Sequence, residues 1–269
     1  MKKKLVIILI ALLLIPTTFA FPVLADTQVT DSFERKNVLG TFWRSQYTTN
    51  PWSAQTSTKQ AREGTKSLRF ELRSTDKNVS DSKRAEVEYK KVEPPLLERT
   101  YKVSVYLPKG GKEDYALDPS GSEIICQWHN TPDSGEDWTS PPLLLRTGAY
   151  DFVDGDHYSV QVHWDANAIT TDETMQNQVY DLGSYVEDKG KWVDWTVHVK
   201  WGWLDSQKPR IQIYKDGVKV FDRVGPNTTN DKVGPYMQFG MYKWDWAHPE
   251  YKDSILKKRV IYYDAVNIT

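Results

Sequence analysis

Three short runs carry residue types that can move protons beside a negative charge. They are Arg84-Ala85-Glu86, Gln127-Trp128-His129 and Tyr236-Met237-Gln238-Phe239-Gly240-Met241-Tyr242-Lys243. Each reads as a β-strand, whose side chains alternate between two faces. On that reading Arg84, Glu86 and Glu88 share a face, as do Ile125, Gln127 and His129, and as do Tyr236, Gln238 and Tyr242. Ala85, Val87 and Tyr89 fall on the opposite side, together with Ile124, Cys126 and Trp128, and with Met237, Phe239 and Met241. If the three strands are neighbours, Arg84, Gln127, His129 and Tyr242 converge. Gly240 marks a place where a ligand or another backbone comes close.

That set suits one reaction. Breaking a glycosidic bond by β-elimination next to a uronic acid has three requirements. The carboxylate must be neutralised, a base must take the C5 proton, and an acid must protonate the departing O4. Arg and amide donors meet the first by stabilising developing charge. His and Tyr meet the others. A tyrosine with its ordinary pKa near 10 is a poor base, so cations must stand close to it. Arg84, Lys243 and Arg146 are the cations expected to make the cleft locally positive. Tyr236, Gln238 and Glu86 complete the expected substrate-binding face.

Many short alternating runs must position these residues. Ser67–Arg73, 84–89, 100–107, 124–129, 143–146, 158–165, 192–201 and 259–268 all read as strands. Lys215-Asp216-Gly217 between two such runs signals a hairpin. Thr58 to Glu63 reads as one helical turn, and residues 130–142 and 166–181 as polar loops, the second a lid candidate. No run keeps a helical period. The fold class expected is all-β, a jelly roll or related sandwich of two antiparallel sheets with a concave cleft.

The chain has 269 residues and a formal net charge of −1. It begins Met1-Lys2-Lys3-Lys4, runs without charge from Leu5 to Ile15, and reaches Val23-Leu24-Ala25. This pattern predicts a secretory signal cleaved after Ala25 and one domain over 26–269. The apolar run is short of the roughly 20 residues a membrane span needs. Residues 1–25 hold three lysines and no acid, so the remainder carries −4. Nucleic acid is therefore a poor partner. Cys126 is the single cysteine, so core burial must hold the fold without an internal disulfide. The 11 Trp and 15 Tyr offer sugar-stacking platforms as well as core.

The three runs resemble, in order, the signature strands of jelly-roll polysaccharide lyases. The alginate lyases of this architecture carry Arg-x-Glu, Gln-x-His and Tyr-x-Lys-x-Gly-x-Tyr strands. The closer resemblance is to the glucuronan lyase and heparin lyase I group. Pro132, Gly135-Glu136-Asp137-Trp138, Ser140-Pro141-Pro142, Trp195-Thr196-Val197-His198-Val199-Lys200-Trp201, Lys215-Asp216-Gly217 and Tyr242-Lys243-Trp244-Asp245-Trp246 all share in it, over residues 30–268. The resemblance implies that Tyr242 is the catalytic acid and also a candidate base. It makes His129 the base or a stabiliser, and gives the uronate carboxylate to Gln127 and Arg84. Gln238 stands where the alginate-lyase pattern has lysine, which argues against alginate.

The expected partner is an anionic uronic-acid polysaccharide, glucuronan-like or heparin-like, bound by a secreted monomer. No cofactor is required, although Asp133, Glu136 and Asp137 could bind calcium. Two alternatives stand beside this reading. One is a non-catalytic carbohydrate-binding module or lectin on the same sandwich. The other is a glycoside hydrolase, which needs paired carboxylates. Histidines 157, 163 and 198 are expected to be structural.

Overall fold

Alternation of apolar and polar side chains decides most of this chain, because each strand buries one face. The computed structural model describes residues 29–47, 50–248 and 254–269. The segment read as a secretory signal lies outside the described residues. Numbered in chain order, one sheet runs β13 (Val218–Val224), β12 (Arg210–Lys215), β11 (Trp192–Lys200), β6 (Glu98–Tyr106), β15 (Lys258–Ile268), β4 (Ser67–Arg73) and β3 (Ala54–Ser57). In it β1 (Val29–Asp31) also pairs with β15. The second sheet runs β10 (Gln176–Ser184), β9 (His157–Trp164), β8 (Leu143–Gly148), β7 (Ser122–His129), β14 (Tyr236–Lys243), β5 (Lys83–Tyr89) and β2 (Trp43–Tyr47). Neighbouring strands are antiparallel throughout both sheets.

The expected two-sheet jelly-roll architecture is therefore present. The sheets face each other across one apolar core, with Trp43, Phe70, Trp128, Trp195, Phe239 and Tyr263 among its buried side chains. Phe239 lies at its centre, with ring centroids of Trp43 and Tyr263 each 5.0 Å away. The hairpin at Asp216-Gly217 joins β12 to β13 with φ of 50° and 78°, the paired positive values that a tight primed turn needs.

Two local readings differ from the structure, and two strands went unread. Residues 58–63 form bends in place of a helical turn. Residues 176–181, read as loop, belong to the edge strand β10, whose exposed Gln and Asn side chains mask the alternation. β2 and β3 are short, partly exposed strands that carry little apolar pattern.

Candidate active site

The outward face of the seven-stranded sheet brings the three runs side by side. β14 lies between β5 and β7. In register, Tyr242 stands opposite Arg84 on one side and Ile124 on the other, and Ile124 stands opposite Arg146 of β8. The next row sets Gln238 between Glu88 and Gln127. A further row pairs Tyr236 with His129. Above these rows lies a cleft of about 540 Å³, lined by Arg84, Ile124, Gln127, His129, Arg146 and Tyr242 from strands, and by Trp138, Tyr150, Asp172, Trp244 and Asp245 from connections. Arg84, Gln127, His129 and Tyr242 thus share one cleft.

Strict alternation fails at one point in β7. Ile125 is fully buried in the core, whereas Ile124 lines the cleft. The expectation that Ile125 shares a face with Gln127 and His129 is therefore corrected. A β-bulge at this point leaves Ile125 without a partner on β8, and an extra residue bends the strand and shifts its phase. β14 is irregular at the same level, between Phe239 and Tyr242. There Gly240 has φ +137°, and a Cβ would lie 2.2 Å from the Ala85 carbonyl oxygen. Only glycine lets the two backbones approach this closely.

A residue of the opposite sheet holds both irregularities. The Tyr263 hydroxyl of β15 lies 2.6 Å from the Ile125 carbonyl oxygen and 2.7 Å from that of Gly240. Sequence reading missed this role, since Tyr263 looks like one more core aromatic. The hydroxyl has one hydrogen to share between these two buried carbonyls, and Tyr263→Phe removes it at a cost of about 1–3 kcal/mol. We expect chemical denaturation to report a loss of that size, together with reduced turnover.

The electrostatics of the cleft follow from burial. His129 Nδ1 is 3.0 Å from the Asn130 carbonyl oxygen. A carbonyl only accepts, so Nδ1 carries the hydrogen and Nε2 keeps its lone pair. Burial, aided by the nearby Arg84 charge, pushes the imidazole down to about 4, so His129 is neutral at neutral pH. Its ring stacks on Tyr236 at 6.1 Å and meets Trp138 edge-on at 5.2 Å. The Arg84 guanidinium lies 4.5 Å from the Tyr242 ring centroid. Arg146 donates to Gln161 Oε1 at 2.6 Å and stacks on Tyr150 at 3.7 Å. No carboxylate lies within ion-pair distance of Arg146 among the described residues. A buried cation without a paired acid is costly, and its charge is left to answer an anion in the cleft.

Two of the expected substrate contacts lie under the floor. Glu86 is fully buried and accepts from Gln127 Nε2 at 2.7 Å and Gln238 Nε2 at 2.9 Å. Gln238 is itself buried, so it supports Glu86 and does not face the cleft. Lys243 must be corrected outright. Alternation turns it away from the cleft, and it is fully buried between Asp118 (2.9 Å), Glu123 (3.2 Å) and Asp245 (3.1 Å). The positive charge at the cleft therefore comes from Arg84 and Arg146, without Lys243.

The profile of the polysaccharide lyase family matches residues 31–267. The chain belongs to that family. Solved structures resemble this lyase at the level of fold. The endo-β-1,4-glucuronan lyase of the fungus Trichoderma reesei is 17% identical, with a TM-score of 0.67 over 85% of this chain and 94% of that one. A glycoside hydrolase family 16 endo-glucanase from Bacteroides ovatus is 13% identical, with a TM-score of 0.52 over 90% and 99%. LamAcat from Zobellia galactanivorans is 12% identical, with a TM-score of 0.54 over 89% and 96%. No curated protein matches by sequence.

The remaining polar residues of the lyase hold its loops. Glu136 accepts from the Asp133 and Thr170 backbone N–H groups, both at 2.7 Å, and Asp133 pairs with Lys232 at 3.2 Å. Glu136 and Asp133, two of the three acids considered for calcium, thus tie the 130–142 loop to its neighbours. Among the described residues no three His, Cys, Asp or Glu side chains come together as a metal site. His163 is bound to the Pro141 carbonyl at 2.7 Å, His157 to Asp181 at 2.9 Å and His198 to Thr100 at 2.7 Å.

Proposed function

We propose that this lyase cleaves a uronic-acid polysaccharide of the glucuronan type by β-elimination, leaving an unsaturated uronate at each new non-reducing end. The observation that carries the reading is the cleft itself. Two guanidinium groups, Arg84 and Arg146, flank Tyr242 on a floor that also offers an amide and a neutral histidine. The glycoside hydrolase alternative needs two carboxyls facing across the scissile bond. Both acids of the signature strands, Glu86 and Glu88, are instead buried, and Asp245, one of the two acids lining the cleft among the described residues, is paired with Lys243 at 3.1 Å.

The reaction takes a proton from C5 and gives one to O4, so the protein gains and loses none overall. In glucuronate both atoms lie on the same side of the C4–C5 bond. One phenol then serves both ends: Tyr242 as phenolate takes the C5 proton, and as phenol returns it to O4. Arg84 and Gln127 hold the carboxylate and stabilise the charge that develops on it in the transition state. His129, with its free Nε2, is an uncharged acceptor for a sugar hydroxyl. Exposed Trp138 and partly exposed Trp244 give the sugar rings apolar faces to rest on. No step calls for a cofactor. Secretion after removal of residues 1–25 and action as a monomer complete the proposal.

The uronate requirement is tested with glucuronan and its carboxyl-reduced derivative. Only the charged polymer should be cleaved, and its binding should weaken as salt screens the cleft. Equal cleavage of both would refute the assignment. Arg146→Met gives a sharper test. A hydrogen bond to a charged group contributes about 1.5–3 kcal/mol, so affinity for an anionic oligomer should fall roughly 10–100-fold by calorimetry. Stability should hold or rise, because a buried cation without a paired acid is gone.

A further inference from the structure

Glu86 has no part in the proton transfers, yet it lies directly under them. Its position opposite Gly240 in register leaves space for its side chain on the floor of the sheet. An ionised carboxylate only accepts hydrogen bonds, so Gln127 and Gln238 must both turn an N–H toward it. Its charge is incompletely answered, since the Arg84 guanidinium stands 3.8 Å away. Glu88 on the same strand adds a like charge. Tyr236 of β14, Cys126 of β7 and Tyr263 of β15 are the other titratable groups around it. Burial pushes the Glu86 carboxyl up to about 7, against the pull of Arg84 and the two amides.

We propose that Glu86 is a positioning residue that takes up a proton when a sugar carboxylate binds above it, and so turns the Gln127 amide toward that carboxylate. The inference rests on the uronate reading. A carboxylate held by Arg84 and Gln127 brings a like charge beside Glu86 and competes for the same guanidinium. Both effects favour the protonated acid. Protonated Glu86 becomes a donor, and its O–H bonds the Gln127 carbonyl oxygen. The amide then shows its NH₂ to the cleft, with both N–H groups free for the substrate. Gln238 goes on donating to the second Glu86 oxygen. One solvent proton enters with each bound carboxylate and leaves with the product.

The test uses Tyr242→Phe, which binds without turnover, and a uronate oligomer. Calorimetry at pH 8 in buffers of different ionisation heat should show uptake of about half to one proton, as expected when a like charge raises an acid by one or more units. Affinity should rise by up to about tenfold per unit as pH falls from roughly 9 to 7, the limit for one linked proton. Adding Glu86→Gln, a neutral isostere of the protonated acid, should abolish the uptake and flatten the pH dependence. Affinity at pH 8 should then match or exceed that of the parent, and so should the thermal midpoint. A purely structural role would not move the proton count. An infrared difference spectrum on binding reads the same event with Glu86 intact, as a new protonated-carboxyl band. Binding without uptake, or uptake that survives Glu86→Gln, overturns the linkage alone. Failure of every uronate oligomer to bind overturns the substrate reading and the linkage together.

Discussion

Tyr242→Phe is expected to lower turnover by at least about 10²–10⁴-fold, the usual contribution of a general acid–base group. The substitution removes one oxygen and leaves the ring, so the contact with the Arg84 guanidinium persists. Thermal stability and affinity for an anionic oligomer should change little. The loss should exceed the usual range if one phenol serves both ends of the elimination. Tyr236→Phe is the matched control. It lies on the same face of β14, beside His129 and six residues from Tyr242, and should cost much less. His129→Ala should also slow turnover. Near wild-type rates in Tyr242→Phe would disprove the assigned mechanism whatever the substrate.

Lys243→Met is expected to cost about 3–5 kcal/mol of stability at neutral pH, the range for breaking a buried ion pair from one side. Lys243 follows Tyr242 directly, and its ammonium joins three segments: the loop at Asp118, the start of β7 at Glu123, and the turn at Asp245. Arg259 of β15 adds a second cation, 2.5 Å from Glu123. Burial alone would raise the Asp118 and Glu123 carboxyls, but the two cations outweigh it and hold both below the usual carboxylate range. These depressed groups stabilise the native protein above the unfolded carboxyl pKa near 4, and that stability is lost as pH falls through their folded values. Without Lys243 the Asp118 and Glu123 carboxyls lose one of the cations that hold them down, and Asp245, which burial already raises, loses the cation that opposes that rise. Their folded pKa values therefore move up, so the deficit of the variant should shrink as pH is lowered from about 8 to 5. Denaturant titrations at several pH values measure this. A deficit independent of pH would mean that Lys243 acts through packing alone.

Much of this was legible in the sequence because strand alternation is a local property. Arg84, Gln127, His129 and Tyr242 are spaced for one face, and the structure brings all four to one cleft. What escaped depends on contacts far apart in sequence. The Ile124/Ile125 phase shift is a bulge secured by Tyr263, 138 residues away. The fate of Lys243 depends on acids at 118 and 123, although its alternation already pointed it inward. β10 was hidden because an edge strand can keep both of its faces polar. Trp138, Tyr150, Asp172 and Trp244 come from connections, where no periodicity tells which side chain turns into the cleft.

The central claim is elimination from a uronate chain, and one assay of products tests it most directly. Glucuronan is incubated with the protein while new reducing ends and ultraviolet absorbance of unsaturated uronate are followed together. Elimination predicts that the two rise in step, one double bond for each chain broken. Reducing ends without the absorbance would mean hydrolysis, and binding without either would mean a lectin; each would contradict the account.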